Sequence, residues 1–319
     1  MNKKKTILVC IHTDEKHREL LKNCAEDAEF VWLDEKTAIP AELLRRADAI
    51  IGNPDPEVLK EARRLEWLQL GSAGADRYGR DVLPEGASLT NAAGAYGPSM
   101  AEYMVCAVMS LMMDFPACRD RQREHVWRGT RHIRHLEGTL ALSVGFGGIG
   151  REFAKRYHAL GGRVIGVKRT PGEKPDYAEG VYPVEQLDSL LPQADVVALS
   201  LPSTKETSHL FDAGRFALMK KGAYLVNVGR GTAVDPEALL RALTSGGLGG
   251  AALDVTEPEP LPADSPLWDV PNLIITPHIS GGWWVPENYE RIFGIVLENL
   301  GRYMRGEPFR NRVSLSAGY

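Results

Sequence analysis

Residues 140–160 read LALSVGFGGIGREFAKRYHAL. The first five, Leu140 to Val144, form a short apolar run of the kind that makes a buried strand, and the spacing predicts a helix from Ile149 to Leu160. Gly145, Gly147 and Gly150 fall between and into these elements. A glycine-rich string alone says little, but this one follows a strand and opens a helix. Gly145 permits a tight turn, Gly147 lets the backbone approach a ligand closely, and Gly150 lets helix and strand pack. The helix start, at Gly148 and Ile149, offers free N–H groups and a partial positive charge to phosphates. The stretch reads as the phosphate loop of a dinucleotide-binding βαβ unit.

Strand-like runs continue on both sides of it. Downstream come RVIGVK, DVVALSL, AYLVNV, GGAALDV and NLIITP, which with the first make six strands, the count expected of a full dinucleotide-binding sheet. Upstream lie TILVCI, EFVWL, DAIIG and WLQL, separated by helical stretches such as Glu15–Cys24 and Ala41–Ala47. This alternation predicts an α/β protein with two Rossmann-like, doubly wound parallel-sheet domains and a cleft between them. Residues 1–96 and 284–319 are expected to form a substrate-binding domain, joined by the amphipathic helix Glu287–Arg305. Residues 97–283 are expected to form the dinucleotide-binding domain. Gly and Pro cluster near both crossings, at Gly94–Pro98 and Gly281–Pro286, which suits a hinge.

The 319 residues are 44% hydrophobic and 25% charged, with a net charge of −4. That composition suits a globular chain and gives no pull toward nucleic acid or an anionic membrane. The apolar run ILVCI after MNKKK is too short for a signal-peptide core, and no run reaches the roughly 18 apolar residues of a membrane span. Four cysteines without a CxxC pair fit a reducing cytoplasm. Cys10 and Cys106 read as small core residues. The basic stretch Arg119–His135 carries alternating charges and reads as a solvated helix or subunit contact. His132 and His135 lack a carboxylate or cysteine at metal-binding spacing, so no metal is expected.

The strand after the phosphate loop bears on cofactor choice. An acidic residue there would bind an adenosine ribose hydroxyl. RVIGV ends instead in Lys168, Arg169 and Thr170, with no carboxylate before Glu173. Two cations and a hydroxyl suit a 2′-phosphate, so NADP(H) is the expected cofactor and NAD(H) the alternative.

Three further residues, each just past an apolar run, make a catalytic set. Arg230 can clamp a carboxylate with two parallel hydrogen bonds. His278 can move a proton near neutral pH. Glu259 can orient that histidine and hold its charge. Together with the phosphate loop they suggest hydride transfer between a nicotinamide and a small 2-oxo or 2-hydroxy acid. His12, His17, His125, His158 and His209 have no comparable company in the sequence.

DVVALSLPSTKETSHLF, LMKKGAYLVNVGRG, ALDVTEPEPLP and SPLWDVPNLIITPHIS follow one another in the order seen in the D-isomer-specific 2-hydroxyacid dehydrogenases, which the chain resembles over nearly its whole length. It looks most like their NADPH-dependent glyoxylate/hydroxypyruvate reductase branch. The resemblance implies that His278 is the acid in reduction and the base in oxidation. It implies that Glu259, five positions after Asp254, is the partner of that histidine, and that Arg230 binds the substrate carboxylate. Asp254 would face the nicotinamide end, Val228, Pro202 and Thr207 would line the cofactor cleft, and Ser72, Ala73 and Gly74 would help hold the carboxylate. The family is usually dimeric. One departure is ISGGWWVP after Pro277 and His278: Trp283 and Trp284 would either enter the substrate cleft and favour a larger or apolar side chain or pack at the hinge, with Tyr96 and Met100 bordering the same pocket. A nucleotide-sensing, co-repressor-like binding protein on the same fold is the alternative reading.

Overall fold

The structure is a computed structural model that describes residues 4–34, 37–79, 81–129 and 133–315. The chain divides into two compact units, Met1–Tyr96 with Trp283–Tyr319, and Gly97–Gly282.

The first unit holds strands β1 (Lys5–Val9), β2 (Ala28–Trp32), β3 (Ala49–Ile51), β4 (Trp67–Gln69) and β5 (Ser88–Thr90). They pair in parallel in the order β2-β1-β3-β4-β5. Ile7, Leu8, Ile50, Ile51 and Leu68 are fully buried, so these strands are apolar runs rather than alternating patterns, as expected of a parallel sheet covered on both faces. Helix Glu15–Cys24 starts where the Asp14 carboxylate accepts the N–H of His17, and it packs against helix Pro286–Arg305. A buried polar link fixes that long helix. Asn299 Nδ2 donates to Gln69 Oε1 on β4 at 2.7 Å and to the Arg310 carbonyl at 3.0 Å.

The second unit holds β6 (Leu140–Val144), β7 (Arg163–Val167), β8 (Gly180–Tyr182), β9 (Val196–Leu199), β10 (Ala223–Asn227), β11 (Leu248–Leu253) and β12 (Leu273–Ile275). The order is β12-β11-β10-β9-β6-β7-β8, again parallel throughout. From β6 the chain winds outward through β7 to β8, then returns to β9 on the other side of β6. The carboxyl ends of β6 and β9 therefore flank the point where winding reverses, which is where open α/β sheets bind ligands. Helix Gly97–Met112 packs against helix Gly148–Ala159 and against β10 and β11.

Two strands exceed the sequence reading, β5 and β8, each three residues long. Cys10 is buried, and desolvation pushes its thiol up to about 12. The core reading of Cys106 is wrong: it is exposed. Met100, Met104, Ala107, Val108 and Leu111 occupy the buried face of its helix, and at 3.6 residues per turn position 106 falls on the other side with Glu102. No single described helix is long and apolar enough to cross a membrane; Gly97–Met112 and Phe115–Arg123 pass only as a pair bent by 67°. Helix Phe115–Arg123 has no buried residue. His132 lies outside the described residues.

Candidate active site

The phosphate loop is built on the ends of β6 and β7. Gly145 and Phe146 both donate backbone N–H groups to the Val167 carbonyl, at 2.9 and 3.1 Å. Gly145 has φ +94°, and a Cβ there would stand 2.6 Å from the Ser200 carbonyl oxygen. A Cβ on Gly150 would stand 2.5 Å from the Gly145 oxygen. Packing within the protein thus explains these two glycines. It does not explain Gly147, where a Cβ would meet no described atom within 4 Å and the backbone is extended, at φ −89° and ψ −152°. Bare space over a helix N-terminus suits a phosphate approaching the main chain. The residues present therefore fit a dinucleotide.

The same hydrogen bonds bring the end of β7 to the loop. Lys168, half-buried, and Arg169 and Thr170, exposed, follow directly. A third cation, Arg151, lies with its guanidinium 5.1 Å from the centre of the Phe146 ring; sequence reading missed it, although its place in the first turn after the glycines was visible. Glu206 opposes these charges. Its own backbone N–H, and then the Thr204 hydroxyl, hold its carboxyl below the ordinary range, with Arg169 and Lys205 adding to the effect. Pro202 and Thr207 lie past β9, where the Thr207 hydroxyl donates to the Pro202 carbonyl at 2.7 Å. Val228 is buried just past β10.

Arg230, Glu259 and His278 follow β10, β11 and β12, which are neighbours in the sheet. The Asn227 side chain spans the turn before Arg230, accepting from Gly229 N–H and donating to the Arg230 carbonyl, both at 3.0 Å. Gly231 is pressed against the next loop, where a Cβ would stand 1.9 Å from the Thr256 carbonyl oxygen. His278 Nδ1 lies 2.7 Å from Glu259 Oε1. A carboxylate only accepts, so Nδ1 carries the proton and Nε2 is left to exchange one. Both side chains are nearly half exposed, at 47% and 42%, so the pair is open to a small molecule.

His278 adopts φ +54°, a conformation that costs free energy for a non-glycine residue and persists where surroundings enforce it. Asp254 supplies the restraint. Its carboxylate, 1% exposed, accepts from Thr276 Oγ1 at 2.6 Å, Ile279 N–H at 2.8 Å and Ser280 N–H at 2.9 Å. Its carbonyl accepts from His278 N–H at 2.9 Å. With the Thr276 hydroxyl directed at Asp254, Tyr103 Oη donates in turn to Thr276 at 2.7 Å. Burial pushes that phenol up to about 12, which keeps it a donor. Tyr103 and Thr276 were not singled out in the sequence; the position of Thr276 two residues before His278 was the available signal. Asp254→Asn would replace one accepting oxygen with an NH2, set against the Ser280 N–H or against the Ile279 N–H and Thr276 hydroxyl, and leave donors unmatched at about 1–3 kcal/mol each. We expect a lower melting temperature together with a lower kcat; an unchanged melting curve would refute this role.

A carboxylate neighbour does not by itself distinguish His278. His209 Nε2 lies 2.7 Å from Glu257 Oε2, and His17 lies 2.5 Å from Asp14 and 3.5 Å from Glu290. The expectation that these histidines stand alone is corrected: their partners are distant in sequence or lie at a helix cap. His17 is packed between the rings of Tyr289 and Phe293, whereas His278 sits past the end of a sheet strand.

In the first unit, the Ser72, Ala73 and Gly74 carbonyls accept from Ala92 N–H, Asn91 Nδ2 and Ser72 Oγ. Among the described residues their own three N–H groups donate to nothing. Successive free N–H groups of this kind suit an anion. Trp283 is 43% exposed and belongs to this unit.

The family model for the D-isomer specific 2-hydroxyacid dehydrogenase NAD binding domain matches residues 105–280, more than half of the chain. A D-isomer specific 2-hydroxyacid dehydrogenase family protein from Aeromonas salmonicida is 36% identical, with a TM-score of 0.85 over 98% of this chain and 99% of that one. A D-isomer specific 2-hydroxyacid dehydrogenase from Xanthobacter autotrophicus, in complex with NADPH and MES, is 27% identical, with a TM-score of 0.83 over 99% and 100% of the two chains. A glyoxylate reductase from Korarchaeum cryptofilum is 31% identical over 89% of each chain. The chain belongs to the D-isomer-specific 2-hydroxyacid dehydrogenase family.

Proposed function

We propose that the protein reduces small 2-oxo acids to D-2-hydroxy acids with NADPH. The observation that carries this reading is the His278–Glu259 pair, set past a sheet strand in the unit that also bears the phosphate loop. The nicotinamide, when bound, supplies the hydride for the 2-oxo carbon. His278 Nε2 delivers a proton to the oxygen on which negative charge develops. Glu259 keeps the ring oriented and stabilises its charged form. Arg230 holds the substrate carboxylate, so that one face of the carbonyl is presented. In the first unit, the free N–H groups of Ser72, Ala73 and Gly74 form an anion site suited to a carboxylate. The glyoxylate reductase relative supports a 2-oxo acid substrate. NADPH consumption by the purified protein over a panel of 2-oxo acids tests the reading, and no turnover with any of them would end it.

For the cofactor, Lys168, Arg169 and the absence of a strand-end carboxylate support NADP(H), as does the NADPH complex of the Xanthobacter relative. A charge-assisted hydrogen bond contributes roughly 1.5–3 kcal/mol, and two partly exposed ones give less than twice that because water and salt screen them. The expected preference for NADPH over NADH is about ten- to a thousandfold. Lys168→Asp should erase or reverse it, since a carboxylate would accept from a bare ribose and repel a phosphate. Equal efficiency of the unaltered protein with both cofactors, at one salt concentration, would remove this assignment and leave the dehydrogenase reading intact.

We also propose a homodimer acting in a reducing cytoplasm. Phe115, Val126, Trp127 and Ile133 are exposed apolar side chains in one stretch of the second unit, which suits a face covered by a second copy. All four cysteines are free thiols. Sedimentation of the purified protein at the mass of one chain would overturn the dimer.

A further inference from the structure

The first unit contains a cavity of about 210 Å3. The residues that line it include Ile11, His12, Tyr96, Trp283, Tyr289 and Ile292, together with Asn53, Gly71 and Ser72. We propose that it receives the side chain of the substrate, and that it selects uncharged ring-bearing or branched substituents over a lone hydrogen and over anionic tails. This rests on the 2-oxo acid reading above.

Position comes first. Ser72 lines the cavity and also begins the run of three free N–H groups proposed to face the carboxylate. In a 2-oxo acid the carbon chain continues two bonds from that carboxylate, so a substituent beyond the carbonyl lies within reach of the cavity.

Size is sufficient. A dry cavity of about 150 Å3 admits benzene, so 210 Å3 takes a phenyl ring. Glyoxylate, with hydrogen in place of a side chain, would leave it without an apolar occupant.

Chemistry decides the class. Most polar atoms around the cavity are engaged by one another. Tyr289 Oη donates to the His12 carbonyl at 2.7 Å, and Tyr96 Oη donates to the Gly71 carbonyl. Asn53 Nδ2 donates to Ser72 Oγ at 2.7 Å, and Asn53 Oδ1 accepts the Gly71 N–H at 2.9 Å. What faces a ligand is mostly aliphatic carbon and ring surface, the His12 imidazole included. His12 stacks on Trp283, with centroids 6.4 Å apart and planes at 27°, and stands 6.0 Å from the Tyr289 ring. Among the described residues, no lysine or arginine lines the cavity. A carboxylate, sulfonate or phosphate tail would lose water there without gaining a guanidinium or ammonium partner among the described residues, whereas a ring would gain face and edge contacts with His12, Trp283 and Tyr289.

The test is kcat/KM with NADPH for glyoxylate, 4-methyl-2-oxopentanoate, phenylpyruvate and oxaloacetate. A single methylene in an apolar pocket is worth about 10–200-fold. Phenylpyruvate and 4-methyl-2-oxopentanoate should therefore exceed glyoxylate by about tenfold or more, and oxaloacetate should fall below both. Trp283→Ala should lower the phenylpyruvate-to-glyoxylate ratio about tenfold. Ile292→Phe, which fills the cavity rather than opening it, should lower the same ratio. Glyoxylate or oxaloacetate as the best substrate of the unaltered protein would overturn the proposal, as would ratios that neither variant moves. If no 2-oxo acid is turned over, the reductase reading falls, and calorimetry with phenyllactate still decides the cavity. Binding weakened by Trp283→Ala supports the assignment, and absence of binding refutes it.

Discussion

His278→Ala is expected to lower the reduction rate by about two to four powers of ten, the usual contribution of a positioned general acid. The loss should fall on kcat, because the proton is needed only as charge develops on oxygen. Binding of NADPH should survive, since the phosphate loop draws on Gly145–Gly150 and the end of β7 rather than on the β12 loop. Rapid-mixing kinetics together with a cofactor titration separate the two effects. Glu259→Gln should reproduce part of the loss. An amide oxygen can still accept from Nδ1–H at the observed 2.7 Å position, but it no longer stabilises the charged ring. Normal turnover by His278→Ala would mean that another group delivers the proton, and His209, already paired with Glu257, would be the next to replace.

The strand, glycine turn and helix at residues 140–160 and the strand-end places of Arg230, Glu259 and His278 were legible because both depend on short-range signals. LALSV before GFGGIG is long and apolar enough to be a strand, and a six-residue loop can be read whole. Arg230, Glu259 and His278 each follow such a run, so their strand-end positions could be read although 48 residues separate the first from the last. Features that depend on three-dimensional proximity were not legible. The strands Ser88–Thr90 and Gly180–Tyr182 are too short to show a pattern. The His209–Glu257 contact joins residues 48 apart, and nothing local to either names the other. The cavity draws its walls from the region of Ile11, from Asn53, Gly71 and Tyr96, and from Trp283–Ile292, segments linked only by the fold. Cys106 shows the opposite error. It lies in the apolar stretch Ala101–Met113, whose composition suggests a core residue, whereas helical periodicity places it opposite Met104 and Val108. The resemblance set Asp254 at the nicotinamide end; its brace on the His278 turn was not legible, because three of its hydrogen bonds come from Thr276, Ile279 and Ser280.

Arg230→Gln should lower kcat/KM by about two to four powers of ten for every 2-oxo acid, because it removes two charge-assisted hydrogen bonds worth roughly 1.5–3 kcal/mol each. Arg230→Lys should recover the charge and only part of the loss, since a point ammonium cannot reproduce the fork that matches a carboxylate. The fork is held by its surroundings: Arg230 donates from Nη1 to the Gly229 carbonyl at 2.9 Å, and Asn227 braces the turn from both sides. A lysine placed there has no planar group for those contacts to orient. The effect should be uniform across side chains, in contrast with Trp283→Ala, because every substrate in the class shares the carboxylate and only some carry a ring. Steady-state kinetics on glyoxylate and phenylpyruvate with both Arg230 variants distinguishes these cases. A loss confined to one substrate would move Arg230 from the carboxylate to the side chain, and an Arg230→Lys enzyme as efficient as the unaltered protein would show that charge alone, without the fork, holds the substrate.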